Sequence, residues 1–392
     1  MIVIRNFENV HLNNKKVAKP VRRTLAAFTT LVFSVFFLFQ SADLGYGFSI
    51  QLAGKIEFAD KSELQTIPIS FCVTEDGLYL IPDYDTRTIK IFDKVEKYLK
   101  LVKEFGPKGF GSAEFDDPRY CFYNKNENIF SVTDAGLRRV FFFDRIGKLD
   151  FKLVRTVPNV DAHDIKPAGD GKNLIVCGYI TDSEKRSYEL YSINLENPNQ
   201  KNYLLPSYKK YHLPSDKEYK IEYSDKQTLA SIGIRAYIDV QKDEVYFVWE
   251  GKLRIIKINL KTKTEITFGH KTEHYKEPFV SAELIKAYSD KDYTKAEKAR
   301  NKMSFVRGIF ATSRHVLVVY EGPNQANRNF RLQMYTAEGK FLGDVVIPDD
   351  YNSPYHRQML LYKGKGNYKL YSFLKTTNRE NQILIYNVSE WQ

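Results

Sequence analysis

Cysteine is scarce: Cys72, Cys121 and Cys177 are the whole complement of a 392-residue chain. An odd number this small argues against a disulfide framework. All three lie in apolar, strand-like runs and read as buried thiols acting as small apolar residues. The sequence has no dense Lys/Arg run interleaved with aromatics, so nucleic acid is not an expected partner. It has no G-x-S-x-G elbow and no H-E-x-x-H. Gly106, Gly109 and Gly111 invite a phosphate-loop reading, but no Lys-Ser/Thr follows them. Glu114–Pro118 (EFDDP) cannot open the helix such a loop needs, so the cluster reads as a connecting turn. His270 and His274 share a short charged stretch, HKTEH, without the further ligands a zinc site requires. The sequence implies no cofactor and no metal.

What is present begins with two unlike regions. Within residues 1–42, Arg5, Lys15, Lys16, Lys19, Arg22 and Arg23 face a single acid, Glu8. Leu25–Phe39 (LAAFTTLVFSVFFLF) then runs fifteen residues without a charge. A basic stretch before an apolar run of this length is the pattern of a secretory signal, and the run is short of the roughly 20 residues that span a bilayer. Cleavage is expected after Ala42 or near Gly47. An uncleaved anchor over residues 25–39 is the alternative, and would be the only link to a membrane. Either way the remainder is expected to be exported: periplasmic, cell-surface or secreted. The first 42 residues carry +5 of the formal +11, so the body carries +6, a mild excess over its length.

The body, residues 43–392, is repetitive. A strand-like run ends in a bulky residue followed by Asp, Asn or Thr at Phe92-Asp93, Phe143-Asp144, Ile193-Asn194, Ile258-Asn259, Tyr335-Thr336 and Tyr386-Asn387. The short polar side chain suits the start of a turn. A second apolar run lies upstream of each: GLYLIPD, NIFSVTD, NLIVCGY, EVYFVWE, HVLVVYE and YKLYSFL. A weaker run leads into these, and a fourth follows, as in LVKEFG and KTEITFG. Four short antiparallel strands repeated six times predict an all-β fold, a six-bladed β-propeller of four-stranded blades. The last unit lacks a fourth strand, whereas FSIQLAGKIEF (Phe48–Phe58) precedes the first as a spare. This strand is expected to complete the last blade and remove an exposed edge. Successive columns lie 51, 50, 65, 77 and 51 residues apart. The long intervals predict a polar loop at about 207–229 and one or two short helices at about 278–303, with Ser281 as N-cap and Leu284, Ile285, Tyr288, Ala296 and Ala299 at helical spacing.

FGPKGFGSAEFDDP (Phe105–Pro118) followed by NIFSVTDAGLRRVFFFDRIGKL (Asn128–Leu149) resembles the NHL-type repeat of six-bladed propellers: a Gly-rich turn, an aromatic before Pro, a strand ending in Asp, an Arg, an aromatic-Asp pair and a Gly. IPDYDTRTIKIFD and TAEGKF match parts of it. The chain is similar to exported six-bladed propeller proteins of bacteria, a group also likened to TolB-like propellers. The resemblance implies fold more than activity, because related propellers include binding scaffolds, lactonases, lyases and quinoprotein dehydrogenases.

One constellation emerges when the repeats are aligned. Arg119, His163, Arg235, Arg307 and Arg357 each stand near the start of the innermost strand of their repeat, with His356 beside the last. Around one opening these bases would focus positive potential and suit an anionic small molecule or an acidic peptide. Alternatively they pair with neighbouring acids such as Asp116, Asp117, Asp161 or Asp164. The leading expectation is a non-enzymatic binding module, contacting a ligand or protein at one face through this mouth and the 278–303 insertion. A hydrolase or lyase on an anionic substrate, with His163 as the proton-transfer group and Asp161 or Asp164 orienting it, is the second. A structural module of a cell-envelope assembly is the third. Asp83 and Asp134, which close second strands, read as turn-forming residues.

Overall fold

The computed structural model describes residues 48–60, 62–64, 68–106, 114–181, 184, 187–206, 236–278, 281–323, 330–348, 358–363, 368–375 and 381–390. The N-terminal apolar segment, the 207–229 insertion, Arg235, His356 and Arg357 lie outside the described residues.

The described chain is all-β apart from two short helices. It opens with β1 (Phe48–Phe58). The meander β2 (Cys72–Val73), β3 (Tyr79–Asp83), β4 (Thr88–Val95) and β5 (Tyr98–Phe105) follows. Next come β6 (Pro118–Asn124), β7 (Ile129–Asp134), β8 (Arg139–Arg145) and β9 (Phe151–Pro158), then β10 (Asp164–Pro167), β11 (Asn173–Thr181), β12 (Ser187–Asn194) and β13 (Lys201–Pro206). A further meander comprises β14 (Ala236–Gln241), β15 (Glu244–Trp249), β16 (Ile255–Asn259) and β17 (Glu265–Phe268). After helices α1 (Ala282–Ser289) and α2 (Tyr293–Arg300) come β18 (Phe305–Ala311), β19 (His315–Glu321), β20 (Phe330–Thr336) and β21 (Phe341–Val346). The chain ends on β22 (Gln358–Lys363), β23 (Tyr368–Lys375) and β24 (Asn381–Glu390).

β6–β9, β10–β13, β14–β17 and β18–β21 are separate four-stranded antiparallel sheets. The remaining strands form one eight-stranded sheet, ordered β2-β3-β4-β5-β1-β24-β23-β22. β1 creates it: antiparallel to β24 from Phe48↔Glu390 to Glu57↔Gln382, and parallel to β5 only at Glu57↔Tyr98 and Phe58↔Leu99.

Alternation explains how each sheet is covered on both faces. On β3, Leu80 packs with Phe130, Val132 and Phe141 of the next sheet, whereas Tyr79 and Ile81 turn the other way, toward Phe373 and Ile383. Second and third strands are therefore buried almost throughout, while fourth strands carry the exposed apolar residues Val102, Val154, Ile266 and Val346. The six apolar-Asp/Asn/Thr columns fall on the third strands β4, β8, β12, β16 and β20 and on β24, and the upstream apolar runs are β3, β7, β11, β15, β19 and β23. First strands lie beside one another in turn: β2 by β6, β6 by β10, β10 by β14, β14 by β18, β18 by β22. They form the inner edge of the arrangement.

In the insertion, Ser281 Oγ accepts the Leu284 N–H at 3.1 Å and caps α1. Leu284, Ala287, Ala296 and Ala299 pack with Met303 and Phe305, tying both helices to the start of β18.

Candidate functional site: the inner edge of the sheets

Polar side chains on the inner edge link successive sheets through backbone N–H groups. Ser70 Oγ, just before β2, accepts from Cys121 N on β6 at 2.7 Å. Asp164 Oδ2 on β10 accepts from Ile238 N on β14 at 3.2 Å, and Asp239 Oδ2 on β14 from Ala311 N on β18 at 2.7 Å. Lys166 Nζ meets Asp164 Oδ1 at 2.9 Å. Burial opposes the Lys166 ammonium, but the carboxylates of Asp164 and Asp239 outweigh it and raise its pKa. Burial also raises the carboxyl of Asp164, against the pull of Lys166 and the N–H groups of Ile238 and Ile165.

Arg307 sits at a register shift between Val306 and Gly308 on β18. A bulge of this kind re-aims a side chain, and the guanidinium reaches two acids. Its Nε and Nη2 bond Glu321 Oε2 at 3.0 and 2.8 Å, and its Nη1 bonds Glu250. All three side chains are close to fully enclosed. Burial works against the charge on Arg307, and Glu321 and Glu250 together raise its pKa despite that. Nearby, Trp249 Nε1 donates to buried Glu189.

Arg119 also stands at a register shift, between Pro118 and Cys121 on β6. Its Nε and Nη2 reach Asp117 Oδ2 at 2.8 and 2.6 Å, and this bond raises its pKa. Its side chain remains 38% exposed. His163, half-buried, leads into β10, and its backbone N–H donates to Cys177 O at 2.6 Å. Gly178 permits this crossing: a Cβ there would lie 1.8 Å from Asp161 O. Thus, of the five bases singled out in the sequence, the structure brings Arg119, His163 and Arg307 to the first strands, with both arginines ion-paired.

Other candidates fall into place locally. Asp134 accepts from Asp116 N, Asp117 N and Leu137 N at 2.7, 3.1 and 2.8 Å. Asp83 accepts from Asp85 N at 3.1 Å and pairs with buried Lys90 at 2.7 Å. His270 stacks on Phe341 with ring centroids 4.0 Å apart, and His274 lies beside Glu273. Among the described residues no three His, Cys, Asp or Glu side chains converge as metal ligands, and no helix is long and apolar enough to cross a membrane. All three cysteines are free and buried.

Sequence reasoning named Asp117, the partner of Arg119, but missed the carboxylates that hold Arg307. Glu250 and Glu321 end EVYFVWE and HVLVVYE, much as Asp83 and Asp134 end their runs, and that recurrence was the available signal.

The stacked four-stranded antiparallel sheets, joined at their inner edges, define a propeller-like all-β protein. No family model and no curated protein matches the sequence. Solved structures do match the fold. A member of the DUF4221 family from Bacteroides vulgatus superposes with a TM-score of 0.59 at 10% identity, covering 88% of this chain and 99% of that one. A candidate exported protein from Bacteroides fragilis superposes with a TM-score of 0.52 at 12% identity, covering 88% and 96%. At such identities the likeness is one of fold alone.

Proposed function

We propose that this chain is an exported six-bladed β-propeller that serves as a binding module and performs no chemistry of its own. In this reading β1 is the outer strand of the last blade, and its pairing with β24 joins the first and last blades and covers the edge β24 would otherwise present. The NHL-like stretch at residues 105–149 and the basic and apolar N-terminal segment support repeat type and export. The name of the Bacteroides fragilis neighbour agrees with export.

The observation that carries the binding reading is the state of the inner-edge charges. Proton transfer needs a group that gains and loses its proton near the working pH. Lys166 and Arg307 are pushed the other way, further above neutrality, and Asp164, whose carboxyl burial raises, is held by Lys166 and by the Ile238 and Ile165 N–H groups. They hold position rather than shuttle protons. Arg307 acts as a strut, while the part-exposed Arg119, with His163, Arg235 and Arg357, offers donors to a carboxylate, phosphate or acidic peptide.

Thermal unfolding of the full chain against a panel of organic acids, phosphates and acidic sugars tests this. A ligand of the folded state raises the midpoint by mass action. The midpoint should rise for wild type and stay put for Arg119→Ala/Arg235→Ala. A rise that survives the double variant removes the ligand from the mouth. N-terminal sequencing of chain recovered from the cell envelope or medium tests export: a start near residue 43 supports a cleaved signal, and an intact Met1 refutes cleavage.

A further inference from the structure

The contact between the second and third sheets is built differently from the other contacts between neighbouring sheets. On each second strand one residue lies opposite the position two before the Asp/Asn/Thr column. These are Leu80 (opposite Ile91), Ser131 (Phe142), Ile175 (Ser192), Tyr246 (Lys257), Leu317 (Met334) and Tyr371 (Ile385). Leu80, Ile175, Tyr246, Leu317 and Tyr371 each fill the core shared with the next sheet. Ser131 supplies only a hydroxyl at that position.

The missing volume is open. A cavity of about 250 Å³ lies between β6–β9 and β10–β13, walled by Phe122, Ile129, Phe142, Leu174 and Leu195, with Ser131 among its lining. Ser131 is 0% exposed, and among the described residues its Oγ has no hydrogen-bond partner. A buried hydroxyl without a partner is costly, and Ser131 is among the residues that line this cavity. The volume is below the roughly 300 Å³ where drug-sized sites begin, so the occupant is compact. Apolar cavities of this kind take up small apolar rings.

The cavity wall includes charge as well. Arg155, exposed on the outer strand β9, lines it and has no carboxylate partner among the described residues. Glu127, the other charged side chain there, is engaged by Asn124 Nδ2 at 2.9 Å. Gly171, with a φ of +66°, presents no side chain to this wall, and a Cβ there would meet Glu127 Oε1 at 2.5 Å.

We infer that the cleft between the second and third sheets is a binding site for a small monocarboxylate with an aromatic or branched apolar body. The apolar body fills the space a Leu, Ile or Tyr fills elsewhere, an acceptor atom takes the Ser131 hydroxyl proton, and the carboxylate meets Arg155. This site is separate from the inner-edge mouth and does not depend on it.

The test uses the full chain with two probes of one shape, 3-phenylpropionate and the uncharged 3-phenylpropan-1-ol, followed by thermal unfolding and titration calorimetry. Both should raise the wild-type midpoint, the acid more strongly. Ser131→Leu restores the apolar residue found at equivalent positions and should abolish both effects while leaving the far-ultraviolet spectrum unchanged. Val154→Trp, at an exposed position on the cavity wall, should block entry without disturbing the core. Arg155→Gln should weaken the acid by about tenfold, the scale of one charge-assisted hydrogen bond, and leave the alcohol unaffected. Absence of any wild-type shift, or a shift that both Ser131→Leu and Val154→Trp retain, overturns the site. Equal binding of acid and alcohol overturns the role of Arg155.

Discussion

Arg307 shows how strongly one enclosed side chain can bind a fold together. It bridges Glu250, which follows β15, to Glu321 on β19, so a single guanidinium ties the fourth sheet to the fifth. Removing it strands two carboxylates in a dry environment. Arg307→Met should therefore cost about 3–5 kcal/mol, the range for breaking a buried ion pair from one side. The triple change Arg307→Met/Glu250→Gln/Glu321→Gln should recover most of that loss in urea unfolding, because no uncompensated charge remains. Equal losses in the single and triple variants would show that packing, not charge, is at stake. Asp76 offers a pH-dependent counterpart. The bonds from Arg145, at 2.8 and 2.6 Å, hold its carboxyl well below the usual carboxylate range, with the Thr74 hydroxyl adding to the effect. The folded value lies under the unfolded value of about 3.9. Its contribution is thus present above that value and disappears as pH falls through the folded one. The stability gap between wild type and Asp76→Asn should be full above about pH 5 and close progressively toward the acid limit. A gap that stays constant with pH would dissociate Asp76 from any charge effect. Residue roles of this sort were only partly legible in the sequence. The bases near the first strands could be found by aligning repeats, and Asp117 beside Arg119 could be read as its partner, but the partners of Arg307 could not. Glu250 follows β15 and Glu321 ends β19, both away from the strand bearing Arg307, and the bulge at Val306–Gly308 sets its aim. Ser131 was hidden for a different reason: a serine in NIFSVTD is unremarkable until register shows that it stands where the other second strands carry Leu, Ile or Tyr.

At the scale of elements the sequence was far more informative, because period-two burial leaves a direct trace. Each apolar run before a column is a second strand, and Ser281 caps a helix whose Leu284 and Ala287 are buried. The short first strands were the weakest signal. β2 has two residues and β10 four, so neither shows alternation long enough to read. β1 is the element whose removal should be most revealing. It covers the full length of β24, and Ile56 and Phe58 enter the core with Phe92 and Phe373. Deleting Phe48–Phe58 bares an edge of unpaired backbone groups, a template for association. Size-exclusion chromatography with light scattering should then show self-association, and the unfolding midpoint should fall. A synthetic FSIQLAGKIEF peptide supplied in trans should restore the monomer by strand addition. A truncated chain that stays monomeric with an unchanged midpoint would make β1 dispensable.

For the whole molecule, the pattern of stacked antiparallel sheets follows from local rules repeated along the chain, whereas what the molecule binds does not. Each sheet needs a neighbour on both faces, and the repeated columns supply one. The departures from repetition carry the individuality: the bulged Arg307, the capped helices before β18, the open space beside Ser131. The pairing of β1 with β24 has a consequence in time as well as in space. Ser49 and Ser389 share a hydrogen bond of 2.9 Å across a separation of 340 residues. At ribosomal rates of roughly 5–20 residues per second, the partner of the earliest strand emerges on the order of half a minute later. For that interval β1 lacks β24, its principal partner, and most of its native pairing must wait for that strand. Such long-range contacts slow folding. The strand that lies between β5 and β24 is therefore a part of the nascent chain in need of a holding partner.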